Sequence, residues 1–319
     1  MTALEIRDLS HNYSGQTALS GLSFQVSENE LFCILGPNGS GKSTLFRSIS
    51  TLLMPTGGKI LIRGDIDLIE NPAAARSLIG TVFQSPVLDP ALTVRENLVI
   101  TGALYAIPKA TASQRVERLS SILGIHDRLD TRVSRLSGGL IRRADLMRGL
   151  LHDPAILLLD EPTAGLDPAA RQRFWHVIEQ LRTEGGSTIL FTSHLIEEAD
   201  IADRLMILDR GQSVAIGTSD GLREEATGHR IVVRSPALDE IAPWLSERFS
   251  IDVLEAPGAL HLQTNEPESV FEALHRRWGS TIVELTLRKP TLEDIFFERT
   301  GNRWESADQP GDPVEVHAE

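Results

Sequence analysis

Two runs along the chain are apolar without a break, Leu31 to Leu35 and Ile156 to Leu159, and Ser187 to Thr192 reads as a further buried strand around Ile189 to Phe191. Runs this short and this continuous read as strands buried on both faces of a parallel sheet. The opening stretch, LEIRDLSHNYSGQTALSGLSFQVSENEL, instead alternates apolar and polar residues and is interrupted at Ser14-Gly15 and Glu28-Asn29, which predicts a small antiparallel β region. Gly57 to Asp67 reads as another hairpin, and Ser77 to Gln84 as a strand ending in a polar amide. Helical spacing appears at Ser43 to Leu53, directly after the first buried strand, and in an amphipathic stretch from Ala170 to Thr183. It also covers Thr93 to Ile107 and Ala112 to Leu123, with Thr93 and Thr111 as caps, and these two form a helical insertion.

The pattern changes after the strand-turn-strand RLMILDRGQSVAIG. A strand at Ile231, a helix from Leu238 to Phe249, a hairpin from Ile251 to Thr264, a helix from Pro267 to Trp278 and a strand from Thr281 to Leu287 follow, before a short closing helix in PTLEDIFFERTG. This βαββαβ order predicts a small α+β sandwich of the ferredoxin-like kind. The expected division is 1–225 for a large α/β domain, 226–304 for an accessory domain, and 305–319 for a polar, acidic tail expected to be disordered.

Composition narrows the classes. With 41% hydrophobic and 24% charged residues, the chain is ordinary globular protein. A net charge of −13 argues against general nucleic-acid binding or direct adhesion to anionic lipid, both of which favour clustered Lys and Arg. No apolar run reaches the roughly 18 residues of a membrane helix, and MTALEIRDLS lacks the regions of a signal peptide, so the expected location is cytoplasmic, with any membrane attachment through a partner. The single cysteine, Cys33, falls inside an apolar strand and reads as core.

Gly36 to Thr44, GPNGSGKST, fits G-x-x-x-x-G-K-[ST] in the required context of strand, loop and helix. Glycines let the backbone turn its N–H groups inward around a pyrophosphate, Lys42 reaches the β and γ phosphates, and Ser43 supplies a hydroxyl to Mg²⁺. Ile156 to Leu159 delivers Asp160 and Glu161 to the C-terminal edge of the sheet. Asp160 can hold Mg²⁺ through water there, and Glu161 can polarise a water for attack on the γ phosphate. Gln84 can reach the metal or that water, His194 can bond the γ phosphate from a strand end, and Tyr13 can stack on adenine. Ser137, Gly138 and Gly139 open another helix and so offer a second anion site, best explained as serving a nucleotide held by another copy.

Taken together, the phosphate loop, Gln84, LSGGL, LLLDEP, GLDP and His194 resemble the nucleotide-binding subunits of ABC transporters, over about residues 3 to 222. The resemblance implies an ABC cassette of the P-loop NTPase fold, ATP and Mg²⁺ as ligands, and hydrolysis of ATP. Gly36, Pro37, Asn38, Gly39, Ser40, Gly41, Lys42, Ser43 and Thr44 would form the phosphate loop, and Ser43, Gln84 and Asp160 the metal site. Glu161 would be the catalytic base, His194 the γ-phosphate switch, and Tyr13 the adenine platform. Ser137 to Gly139 would close on ATP across a head-to-tail dimer with Asp167 at its seam. PTLEDIFFERTG is similar to the C-terminal part of the drug-resistance and nodulation-factor branch, which implies an exporter acting with a separate permease. Leu140 stands where the family usually has glutamine. The partner is therefore a second copy or a different ABC ATPase. The rival functions are a soluble ABC ATPase without a membrane partner and an ATP-binding regulatory protein.

Overall fold

The computed structural model describes residues 1–226, 229–251, 253–256, 258–302 and 304; the tail expected at 305–319 lies outside them. The chain divides into two compact units, with the break between Ile216 and Gly217, earlier than the expected 225/226 boundary.

In the first unit the alternating segments form β1 (Thr2–Tyr13) and β2 (Gln16–Ser27), followed by the wholly buried β3 (Leu31–Leu35) and α1 (Lys42–Ile49). Next come β4 (Gly57–Ile62), β5 (Ile66–Asp67), α2 (Pro72–Leu78) and β6 (Ile79–Val82). The helical insertion is α3 (Val94–Leu104) and α4 (Lys109–Ile122), and α5 (Gly138–Leu150) leads back to the sheet. The remaining elements are β7 (Ile156–Asp160), α6 (Pro168–Gly185), β8 (Thr188–Ser193), α7 (Ile196–Ala199), β9 (Arg204–Asp209) and β10 (Gln212–Gly217).

Two sheets result, one of order β2-β1-β4-β5 and one of order β10-β9-β3-β8-β7-β6. The first is antiparallel, with Ile6 opposite Phe24 and Leu4 opposite Ile62. In the second, β3, β6, β7, β8 and β9 run parallel wherever they pair, with Leu35 beside Ser193 and Asp160 beside Thr192. One core joins both sheets, and Phe24 of the first stacks on Phe32 of the second at 5.5 Å. Cys33 is fully buried there, and burial pushes its thiol well above the usual range.

Three local expectations need correction. The segment expected as a strand from Ser77 is shorter, because Asn71, Pro72 and three alanines start α2, and Ser77 and Leu78 end it. Thr111 does not cap α4. The helix starts earlier, at Lys109, with Pro108 in the cap position and its carbonyl accepting the Ala112 amide at 2.9 Å. The helix after the phosphate loop ends at Ile49 rather than running to Leu53, and Thr51 takes a left-handed φ of 63°. Thr93 does cap α3, in a reciprocal capping box with Glu96.

The second unit contains α8 (Ser219–Glu225), β11 (His229–Arg234), α9 (Leu238–Phe249), β12 (Val253–Ala256), β13 (Ala259–Thr264), α10 (Pro267–Trp278), β14 (Glu284–Arg288) and α11 (Leu292–Thr300). Its sheet is antiparallel with order β12-β13-β11-β14, which places β13 between the two strands joined by α9, as in a split βαβ. Ile231, Val233, Leu260 and Leu262 of the strands pack with Ile241, Leu245, Val270 and Leu274 of the helices. The motif PTLEDIFFERTG acquires a physical reading here. Asp294 completes a capping box with Thr291, accepts from Arg288 at 3.0 Å and lies 3.4 Å from the buried Arg230.

Candidate functional site

Parallel strands carry their following loops on one edge, so β3, β8 and β7, adjacent in the sheet, bring the phosphate loop, His194 and Glu161 together. The loop leaves β3 with the Gly36 amide bonded to the Ser193 carbonyl at 3.1 Å. Gly39 and Gly41 adopt φ of 80° and 110°, and a Cβ on Gly41 would lie 2.8 Å from the Ala18 carbonyl. Glycine is therefore required at that position both by dihedral and by space. Lys42 opens α1, is nearly buried, and donates to the carbonyls of Gly36 and Pro37 at 2.7 and 3.0 Å. Pro37 and Ser40 complete the loop, and the buried Ser40 hydroxyl has no hydrogen-bond partner among the described residues.

A cleft of about 620 Å³ opens over this loop, lined by Asn38, Gly39, Gly41 to Thr44, Glu161 and Tyr13. Gln16, Thr17, Ala18 and Arg210 complete its wall. Tyr13 is 41% exposed and makes an edge-to-face contact with His11 at 4.4 Å. The positive-φ glycines, the lysine and the hydroxyls of Ser43 and Thr44 fit a polyphosphate and a hard cation.

The charged groups converge on Glu161. Gln84 donates to its Oε2 at 3.2 Å, His194 Nδ1 lies 3.4 Å from its Oε1, and Lys42 Nζ is 3.9 Å from that same oxygen. The bond to His194 holds the carboxyl below its usual range despite partial burial, with Lys42 adding to the effect. Reciprocally, Glu161 raises the His194 pKa. Burial pulls Lys42 down and pushes Asp160 up. Glu161 itself sits at φ 41°, a left-handed conformation that costs a non-glycine residue roughly 1 kcal/mol.

Ser137 to Gly139 and Asp167 are not among the residues lining the cleft. Ser137 occupies the N-cap of α5 without making a capping bond, Gly138 is exposed beside it, and among the described residues nothing beyond the local backbone would crowd a Cβ on Gly138 or Gly139. Asp167 caps α6 by accepting from the Ala170 amide at 2.8 Å.

Two residues at the site were not foreseen. Thr192, at the end of β8, donates to Asp160 at 2.7 Å and accepts the Glu161 amide at 2.9 Å. Arg142, on α5, is 5% exposed and donates to main-chain carbonyls at the ends of β6 and β7. A signal for it existed: Arg142 stands four residues before the buried Leu146, on the same helical face.

Residues 19–164 match the ABC transporter family. The chain is similar to the Nod factor export ATP-binding protein I of Rhizobium etli, 36% identical over 310 residues that cover 96% of this chain and 95% of that one. It is also similar to the daunorubicin resistance ATP-binding protein DrrA3 of Streptomyces coeruleorubidus, again 36% identical, covering 94% and 96%. Among solved structures, an ATP binding subunit of an ABC transporter superposes with a TM-score of 0.63 at 30% identity, covering 70% of this chain and 92% of that one. A dimeric ATP-binding cassette in a post-hydrolysis state with ADP and Pi gives 0.61 at 26% identity, covering 67% and 98%.

Proposed function

We start from the fact that this chain belongs to the ABC transporter family, as an ATP-binding and ATP-hydrolysing subunit, and propose how it works. Two copies bind two Mg-ATP molecules between them, and their closure and reopening energise a separate transmembrane permease on the cytoplasmic face of a membrane. The export roles in the names of its relatives support an outward direction. The observation that carries the reading is the convergence of Gln84, His194 and Lys42 on the Glu161 carboxylate beside the phosphate loop.

In this reading Tyr13 stacks on adenine, and the backbone amides of Gly36 to Thr44 with Lys42 bind the phosphates. Ser43, Gln84 and Asp160 would hold Mg²⁺, whose charge, when bound, offsets that of the phosphate oxygens. Glu161 is kept ionised by His194 and Lys42 and accepts a proton from the attacking water as its oxygen bonds to the γ phosphorus. The bond to the bridging oxygen breaks in line, and ADP and phosphate leave. His194, made more basic by Glu161, donates to a γ-phosphate oxygen. Ser137, Gly138 and Gly139 of the other copy close on the same nucleotide, with Asp167 at the seam. The uncapped N-terminus of α5, with its free N–H groups, supports that role.

The permease meets the segment from Ser85 to Asn97 and the outer face of α3. Val87, Val99, Ile100 and Leu104 are exposed there, and apolar residues grouped on a surface mark an interaction site.

Light scattering on Glu161→Gln protein with and without Mg-ATP tests the proposal, because slowed hydrolysis traps the closed pair. Conversion of monomer to dimer is expected. A chain that binds ATP and stays monomeric would point instead to a different ATPase partner, with Leu140 weakening the signature.

A further inference from the structure

Arg142 lies in the second turn of the helix that Ser137 begins, yet it serves the other end of the chemistry. Asp145, the acidic side chain on its own helix, pairs through Oδ1 with Arg148 at 2.7 Å, and it favours the charge on Arg142 without sharing a hydrogen bond with it among the described residues. The guanidinium is instead spent on main-chain carbonyls. Nε donates to Pro162 at 2.8 Å, one terminal nitrogen to Phe83 and to Gln84 (3.2 Å), and the other to Asp160 (3.1 Å) and Glu161 (3.2 Å). An arginine has five N–H donors, and here each has an acceptor.

These acceptors lie on two segments that have no covalent reason to stay in register: the end of β6, where Gln84 begins its loop, and the turn after β7. At that turn the Glu161 backbone is held from both sides. Its amide donates to Thr192 on β8, and its carbonyl accepts from Arg142 on α5. A left-handed φ at a non-glycine residue persists only where its surroundings over-determine it, and these two bonds do so. With both carbonyls turned to Arg142, the Gln84 amide and the Glu161 carboxylate meet each other at 3.2 Å.

We propose that Arg142 is a positioning residue for hydrolysis: its guanidinium fixes the Glu161 turn and the Gln84 loop to α5, and thereby sets where the carboxylate and the amide meet the attacking water. This rests on the reading of Glu161 as general base. Lysine cannot substitute, because one ammonium on a flexible stem cannot span two strand ends as a planar fork does. It also follows that the helix presenting Ser137 and Gly138 to the other copy cannot shift without moving the base of its own site.

The test compares full-length wild type, Arg142→Lys, Arg142→Ala, Glu161→Gln and the Arg142→Lys/Glu161→Gln double variant in steady-state ATPase assays, with thermal midpoints and fluorescent-ATP affinity measured in parallel. Misplacement of a reacting group by about 1 Å costs roughly 10²-fold, so a loss of roughly that size in kcat is expected for Arg142→Ala. Arg142→Lys, which retains charge and the helix, should still lose at least about tenfold in kcat, with KM for ATP within about threefold of wild type. In the Glu161→Gln background Arg142→Lys should cost clearly less than it does in the wild type, since the carboxylate it positions is gone and only its effect through Gln84 remains. Millimolar guanidinium should restore part of the Arg142→Ala turnover. Unchanged kcat in Arg142→Lys, a loss expressed wholly in KM, or a full additional loss in the double variant overturns the proposal. If Glu161→Gln is inactive while Arg142→Lys is normal, Arg142 alone has been misassigned. If Glu161→Gln itself turns over normally, the general-base reading fails and the positioning role fails with it.

Discussion

Thr192 and Asp160 share a hydrogen bond of 2.7 Å across neighbouring parallel strands, and the same threonine oxygen receives the Glu161 amide at 2.9 Å. One hydroxyl on β8 thus orients the Asp160 carboxylate at the end of β7 and anchors the backbone of Glu161, the residue that follows. Burial raises the Asp160 pKa, and the Thr192 bond opposes that rise.

Thr192→Val keeps the shape and removes both bonds. Asp160 then becomes easier to protonate and the Glu161 amide is left unsatisfied, which costs about 1–3 kcal/mol. We expect kcat to fall by about tenfold or more and half-saturation to move to higher Mg²⁺. Turnover measured across a Mg²⁺ titration at fixed ATP checks this, and an unchanged curve would remove Thr192 from the site.

Gly41→Ala places a methyl 2.8 Å from the Ala18 carbonyl at a φ of 110°. The phosphate loop must open to admit it, so ATP affinity should fall by about tenfold or more, while the far-UV circular dichroism stays that of the wild type. Fluorescent-ATP titration reads the affinity directly.

His152 gives a pH dependence of stability away from the cleft. Its ring stacks on Tyr105 at 3.9 Å and its Nε2–H donates to the Ile79 carbonyl at 3.0 Å, while burial lowers its pKa to about 4. The unfolded chain therefore binds a proton near pH 6.5 that the folded chain refuses until about pH 4. This contribution is fully present above the unfolded pKa and is lost as pH falls from about 6.5 to about 4. Urea melts at pH 7.5 and pH 5 should show His152→Phe to be less acid-sensitive than wild type.

Asp294→Ala removes the acceptor shared by Arg288 and Thr291 and strips a close anion from Arg230, which is 9% exposed. Breaking a buried pair from one side costs about 3–5 kcal/mol, and the remaining contact to Glu298 at 3.9 Å reduces that. We expect a loss of about 2–4 kcal/mol, read as a lower thermal midpoint for the second unit. A midpoint unchanged within error would refute this account of the closing motif.

Parts of the fold were legible and parts were not, for identifiable reasons. The runs at Leu31–Leu35 and Ile156–Leu159 revealed β3 and β7, because a strand buried on both faces is mostly apolar along its length. α2 was missed because seven residues are too few to display a helical period before the strand begins. Thr111 misled because a hydroxyl three residues into a helix looks like a cap when a proline can also begin one.

The sequence by itself determined the order of the phosphate loop, the carboxylate pair and the strand-end histidine, and hence the family. Spacing and side-chain chemistry are local properties, and a polyphosphate cradle needs a contiguous run of glycines and donors. Only the tertiary structure decided what surrounds Glu161: that Gln84, His194 and Lys42 meet at its carboxylate, and that Thr192 and Arg142 hold its backbone from either side. In the sequence Arg142 is one of two adjacent arginines on a helix, and its spacing to Leu146 points to the inner face without naming a partner. Its burial follows from α5 lying against β6, a relation between segments about 60 residues apart. No local pattern encodes which carbonyls a guanidinium will find, because those acceptors belong to the backbone and carry no residue type.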